Sequence, residues 1–184
     1  MKSVIAVLDY DVFYDSLWET AEYAASFNVK IWLRIKNRDT KLIYEIALHL
    51  RKFLPESYLI LSERPDIATI CFFDGVHLNS HCYPPDKVKQ NFPELDIGYS
   101  AHSLEEIYSV YANYYTLSPV FQTKKEFEVK PLGAVNVSRT RKKIYALGGV
   151  NSNNIGLLQG KGFYGVAGIS LISELDNIKK YVYP

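Results

Sequence analysis

Short runs of apolar and β-branched residues recur along this 184-residue chain, and most neighbouring runs are separated by a stretch with helical spacing or helix-start chemistry. The runs are Ser3 to Leu8, Val29 to Ile35, Tyr58 to Leu61, Gly75 to Leu78, Asp96 to Tyr99, Tyr114 to Leu117, Ile144 to Leu147 and Val166 to Ile169. Between them, Asp15 or Ser16 caps a helix through about Phe27, with Leu17, Ala21, Ala24 and Ala25 on one face. Thr40 caps a second to about Phe53, with Ile43, Ile46, Ala47, Leu50 and Phe53 inward and Pro55 as its stop. Pro65 suits the first turn of a short helix opened by Glu63 to Asp66, and further helices are expected at Pro84 to Asn91, Leu104 to about Tyr111, and Glu174 to Val182. Strands joined through helices run parallel, because a tight hairpin cannot return the chain in the same direction. The pattern predicts an α/β fold, a compact (β/α)8 TIM barrel spanning residues 1–184 as one domain, with an open doubly wound sheet as its rival. The length lies below the roughly 200 residues usual for this barrel, so trimmed helices are expected after strands three, four and six.

A chain that is 48% hydrophobic and 22% charged can bury one core. A formal net charge of +1 argues against bulk nucleic-acid binding, and no apolar run approaches the length of a membrane span. Met1-Lys2-Ser3 leads straight into a strand, so no signal peptide is read. Cys71 and Cys82 lack CxxC spacing and read as reduced thiols, which with the preceding points predicts a cytoplasmic protein. The chain holds 15 Tyr and 9 Phe, expected in the core and at a subunit contact.

Two stretches carry anion-binding chemistry. From Tyr145 to Ser170 the chain reads strand, glycine turn, short helix, glycine, strand, and small residues let backbone N–H groups approach an anion. Gly148, Gly149 and Ser170 are therefore candidate phosphate-binding positions, where strands seven and eight of a barrel end; two ordinary barrel turns needing glycine are the alternative. Arg34 and Lys36 end strand two, and residues two apart on a strand share a side, so both cations are expected to converge on one ligand. Lys124 to Gly133 reads as a charged loop acting as a mobile lid. His77 is expected to be a hydrogen-bonded barrel residue with apolar partner positions, a catalytic role being the alternative. His102 is expected to cap the helix that follows it, and His81 beside Cys82 lacks further ligands in register for a soft metal.

In order along the chain, LRIK (Leu33 to Lys36), ERPDIA (Glu63 to Ala68), DGVHL (Asp74 to Leu78), SAHSLEE (Ser100 to Glu106), SPVFQT (Ser118 to Thr123), LGGV (Leu147 to Val150) and GVAGIS (Gly165 to Ser170) resemble the thiamine phosphate synthase/TenI family. The resemblance covers nearly all of the chain. It implies a transferase of thiamine biosynthesis that joins an aminopyrimidine diphosphate to a thiazole phosphate and releases diphosphate. It further implies that Arg34 and Lys36 take the diphosphate, Ser100 sits near the reacting centre, Thr123 with Lys124 or Lys125 closes on the substrates, and Gly149, Ile169 and Ser170 cup the thiazole phosphate. Mg2+ is the implied metal, held by Glu63, and a homodimer is the implied assembly.

The chain also departs from the family pattern. Ser62-Glu63 stands where synthases carry Asn-Asp, and Asn79-Ser80-His81-Cys82 follows the GVHL strand where synthases place a second metal-binding Asp. Trp32 takes the place of a pyrimidine-contacting Gln, and Pro119 the place of the TenI catalytic histidine. A thiazole tautomerase using another base and a non-catalytic binder of thiazole phosphate or thiamine phosphate are the alternatives.

Overall fold

The structure is a computed structural model that describes residues 1–123 and 130–182. Its parallel strands β1 (Ser3–Asp9), β2 (Lys30–Arg34), β3 (Leu59–Ser62), β4 (Gly75–Leu78), β5 (Asp96–Ala101), β6 (Tyr114–Leu117), β7 (Ile144–Leu147) and β8 (Gly165–Gly168) close into a barrel in sequence order. β8 pairs back onto β1, with Ser3 opposite Gly165. The closed barrel settles the choice against an open sheet. Helices α1 (Leu17–Ala25), α2 (Thr40–Phe53), α3 (Pro65–Ile70), α4 (Pro85–Asn91), α5 (Leu104–Ser109) and α6 (Leu175–Val182) lie outside it.

Side-chain alternation divides the core in two. On β2, Ile31 and Leu33 join the layer under the helices, whereas Trp32 points into the lumen with Ile5, Val7, Ile60, Tyr114, Tyr145 and Ala167. The lumen is thus packed with rings, which is where three of the buried aromatic residues lie. At its N-terminal end the Tyr58 hydroxyl donates to Asp96, and the Lys30 ammonium sits 3.7 Å over the Tyr58 ring.

Local chemistry moves several boundaries. Asp39 caps α2, its carboxylate accepting from the Leu42 N–H at 3.0 Å, so Thr40 is the first helical residue and not the cap. Phe53, expected inward, is 39% exposed because it ends the helix where the apolar stripe has rotated off the barrel. α3 and α4 are as short as expected, and no helix follows β6 among the described residues. The trimming goes further than predicted: α5 stops at Ser109 as Val110 turns extended, and β7 is followed by one 3-10 turn, Ile155–Leu158. No helix among the described residues is long and apolar enough to cross a membrane, and both cysteines are free.

Candidate active site at the barrel mouth

The C-terminal ends of the strands present their inward side chains to one mouth. Asp9, ending β1, is 5% exposed and accepts from the N–H groups of Asp11 (3.2 Å) and Val12 (3.3 Å). Its other oxygen takes the Arg34 guanidinium in an ion pair. Asp9 thereby anchors a loop and fixes a cation, and sequence reading missed it; the signal was an acid ending strand one in register with Arg34, its Cα partner on β2.

Strand alternation does not set Lys36 beside Arg34, for a backbone reason. β2 stops at Arg34, so the alternation rule does not extend to Lys36, which lies exposed in the following turn. Asn37 there adopts φ 50°, and Arg38 turns back to pair with Asp11 at 2.5 Å. Arg34 instead faces the lumen, close enough for its charge to disfavour protonation of His77.

His77 sits on β4 with 2% exposure, and its neighbours are polar rather than apolar. Its Nε2 lies 3.0 Å from Ser100 Oγ and 3.3 Å from Thr116 Oγ1, its Nδ1 3.2 Å from the Tyr114 hydroxyl. One ring face meets Trp32 at a centroid distance of 3.9 Å, and the Trp32 N–H donates to Ser62 Oγ at 2.8 Å. Burial, with the Arg34 charge as the smaller cause, drops the imidazole from 6.5 to about 3, so it is neutral at ordinary pH. The register that assembles this group is His77 beside Gly98 and Ser100 beside Thr116. Ser100 is half-buried near the C-terminal end of β5.

Across the mouth, Gly148 and Gly149 adopt φ 93° and 67°, which L side chains rarely take. A Cβ on Gly149 would lie 2.4 Å from the Gln122 carbonyl oxygen and 2.9 Å from Phe121, so packing of the segment after β6 already requires the glycine. The Gly149 carbonyl accepts from the Asn154 amide at 2.7 Å and the Asn151 amide at 3.3 Å. The N–H groups of Gly149, Ile169 and Ser170 donate to none of the described residues, leaving three donors at the ends of β7 and β8. Thr123 lies beside this cup, its methyl 3.4 Å from where a Gly148 Cβ would be. Lys125 and most of the loop from Lys124 lie outside the described residues; Leu132 and Gly133 fold back onto Pro119 and Val120 by backbone hydrogen bonds of 2.9 Å.

His102 does not cap α5. Ser103 does, its Oγ accepting from the Glu106 N–H at 3.2 Å, while the His102 ring donates from Nδ1 to the Ser118 carbonyl at 2.8 Å and ties β5 to the end of β6. Glu63 is exposed at φ 64° and accepts from the Asn79 amide. Asn79 also receives the His81 N–H at 2.8 Å, so the residues after β4 are occupied with one another. Among the described residues no three His, Cys, Asp or Glu side chains gather to hold a metal ion. Mg2+ requires several hard oxygen donors, and one exposed carboxylate bound to an amide does not supply them.

A family model described as thiamine monophosphate synthase matches residues 4–172. A putative thiamine-phosphate synthase 2 of Aquifex aeolicus is 34% identical over 184 residues, covering 95% of this chain and 99% of its own. The thiamine-phosphate synthase of Methanococcus maripaludis is 31% identical over 159 residues, with 82% and 77% covered. In fold, the solved thiamine phosphate pyrophosphorylase from Pyrococcus furiosus matches with a TM-score of 0.82 at 24% identity, over 97% of this chain and 94% of that one. The chain belongs to the thiamine monophosphate synthase family.

Proposed function

We propose that this protein is a thiamine phosphate synthase, joining an aminopyrimidine diphosphate to a thiazole phosphate with release of diphosphate. The observation that supports this most is the pairing, on one barrel mouth, of a fixed cation at Arg34 with the three N–H donors at Gly149, Ile169 and Ser170. A reaction between two phosphorylated molecules needs two anion sites.

In the transfer, the C–O bond to diphosphate breaks with its electron pair leaving on oxygen, and the thiazole nitrogen lone pair forms the new C–N bond. No proton has to be removed, so a mouth without a general base suffices. Arg34, with Lys36 and Lys125, neutralises the departing diphosphate; Gly148 to Gly149 and Ile169 to Ser170 hold the thiazole phosphate; Thr123 closes over it, and Ser100 lies beside the reacting carbon. No step is assigned to a metal, since the residues around Glu63 do not fit one. The same misfit favours one second reading, a non-catalytic relative that binds thiazole phosphate or thiamine phosphate. A cytoplasmic location and a homodimer accompany the proposal; sedimentation of the purified protein tests the latter.

The test is to incubate the protein with both substrates, Mg2+ being present as the counter-ion of the diphosphate, and to detect thiamine phosphate as its fluorescent thiochrome derivative. Product above the protein-free control is expected. Absence of product with retained thiazole phosphate binding would replace the synthase reading by the non-catalytic one.

A further inference from the structure

His77 is the best-connected polar side chain of the lumen, and the transfer as written gives it no part. Side chains from the next two strands converge on its ring: Ser100 from β5, and Thr116 and Tyr114 from β6. Room for the ring comes from Gly98, where a Cβ would lie 2.4 Å from Nδ1.

A neutral imidazole has one donor nitrogen and one acceptor nitrogen, and its neighbours decide which is which. The Tyr114 hydroxyl is buried and, among the described residues, hydrogen-bonds only to Nδ1. The Thr116 hydroxyl is buried as well and, among the described residues, hydrogen-bonds only to Nε2, so the two hydroxyls compete for the one acceptor nitrogen; the phenol is the stronger donor and lies closer, at 3.2 Å against 3.3 Å, so Tyr114 donates and Nδ1 accepts. The ring proton then sits on Nε2, directed at Ser100 at 3.0 Å, with Thr116 taking the longer share at 3.3 Å. Ser100 Oγ is thereby used as an acceptor, and its own hydrogen has no other acceptor among the described residues.

We propose that His77 is a positioning residue: protonated on Nε2, it donates to Ser100 Oγ and so turns the Ser100 hydroxyl hydrogen into the mouth, making Ser100 a hydrogen-bond donor to an acceptor atom of the substrate. The substrate in this statement rests on the synthase reading; the direction of the Tyr114, His77 and Ser100 chain does not. Burial keeps the ring uncharged, so the direction is the same throughout the neutral range.

Two measurements test it. In 15N-labelled protein, whose sequence holds 4 His, two-bond 1H–15N correlations identify His77 by its loss in His77→Gln. The expected result is a proton on Nε2 that persists from about pH 5 to about pH 8. A proton on Nδ1, or titration of the ring in that interval, overturns the proposal whether or not the protein makes thiamine phosphate. In the synthase assay, Ser100→Ala and His77→Phe are each expected to lower kcat about 10²-fold with little change in KM. His77→Gln, which keeps an amide donor near the Nε2 position, recovers most of that loss, and adding His77→Phe to Ser100→Ala costs nothing further. Additive losses, or a Gln variant as poor as the Phe variant, would show that His77 acts through packing alone. If no variant and no wild-type protein turns over, the synthase reading fails while the tautomer result still decides the hydrogen-bond direction.

Discussion

Replacing Gly98 by Ala adds one methyl at the most crowded point of the lumen. The new carbon would stand 2.2 Å from Tyr114 Cζ, 2.4 Å from its hydroxyl oxygen and 2.4 Å from His77 Nδ1. Neither ring can swing away: Tyr114 packs edge-on against Tyr145 at 5.7 Å, and His77 is backed by Trp32 at 3.9 Å. Overpacking of this kind costs about 1–3 kcal/mol, and rings boxed on both sides place it near the top of that range. Gly98 has no positive φ, so the alanine fits the backbone and returns roughly 0.4–1 kcal/mol by restricting the unfolded chain. The net expectation is a loss of about 2 kcal/mol, which for a chain of this size lowers Tm by about 4–8 °C. Urea titration and calorimetry against Gly156→Ala make the comparison, since a Cβ there meets only Tyr181 at 3.7 Å and should change stability by less than about 0.5 kcal/mol. If Gly98→Ala matched that control, the lumen would have slack that the packing argument denies.

Two further outcomes follow from the same mouth. Because His77 is depressed from 6.5 to about 3, the unfolded chain binds one more proton than the folded one between those values, so stability falls as pH drops through that window by about 1.4 kcal/mol per pH unit; His77→Gln should flatten this acid limb in urea titrations at a series of pH values, and an unchanged slope would mean the ring is charged or exposed. Asp9→Asn keeps an acceptor for the Asp11 and Val12 N–H groups but removes the charge opposite Arg34; with the Arg34 side chain 27% exposed the loss should be about 1–2 kcal/mol, read from the urea midpoint, and no shift would show the pair to be screened out.

The barrel was legible because it is written locally. Each strand is an apolar run a few residues long, and each crossover carries a cap, a stripe or a proline, so errors were confined to ends such as Asp39 against Thr40. The site was legible only as far as it depends on adjacent residues. Gly148 and Gly149 announce a special backbone by their type, but whether ligand or protein fills the space beside them depends on Phe121 and Gln122, which arrive from another strand end. Arg34 could be seen; that it is tied to Asp9, 25 residues earlier, could not, because strand one and strand two meet in a register that the sequence does not print. His77 is the sharpest case. Its polar neighbours come from Ser100, Tyr114 and Thr116, and only closure of β4, β5 and β6 in that stagger turns an isolated histidine into a hydrogen-bonded chain.

That no helix follows β6 among the described residues bears on motion as well as on length. Beside β6 the Lys142 ammonium bonds the Ile107 carbonyl and, at 3.1 Å, the Tyr115 hydroxyl, and the loop residues Val120 and Val137 are buried in the outer core. A cover made of loop residues can lift without unwinding any helix, so this sector needs the least disruption to open. Thr123 and the segment that packs on Gly149 hang from the same side. Loosening on this side would therefore be felt first at Gly148 and Gly149, whose backbone the residues after β6 already touch.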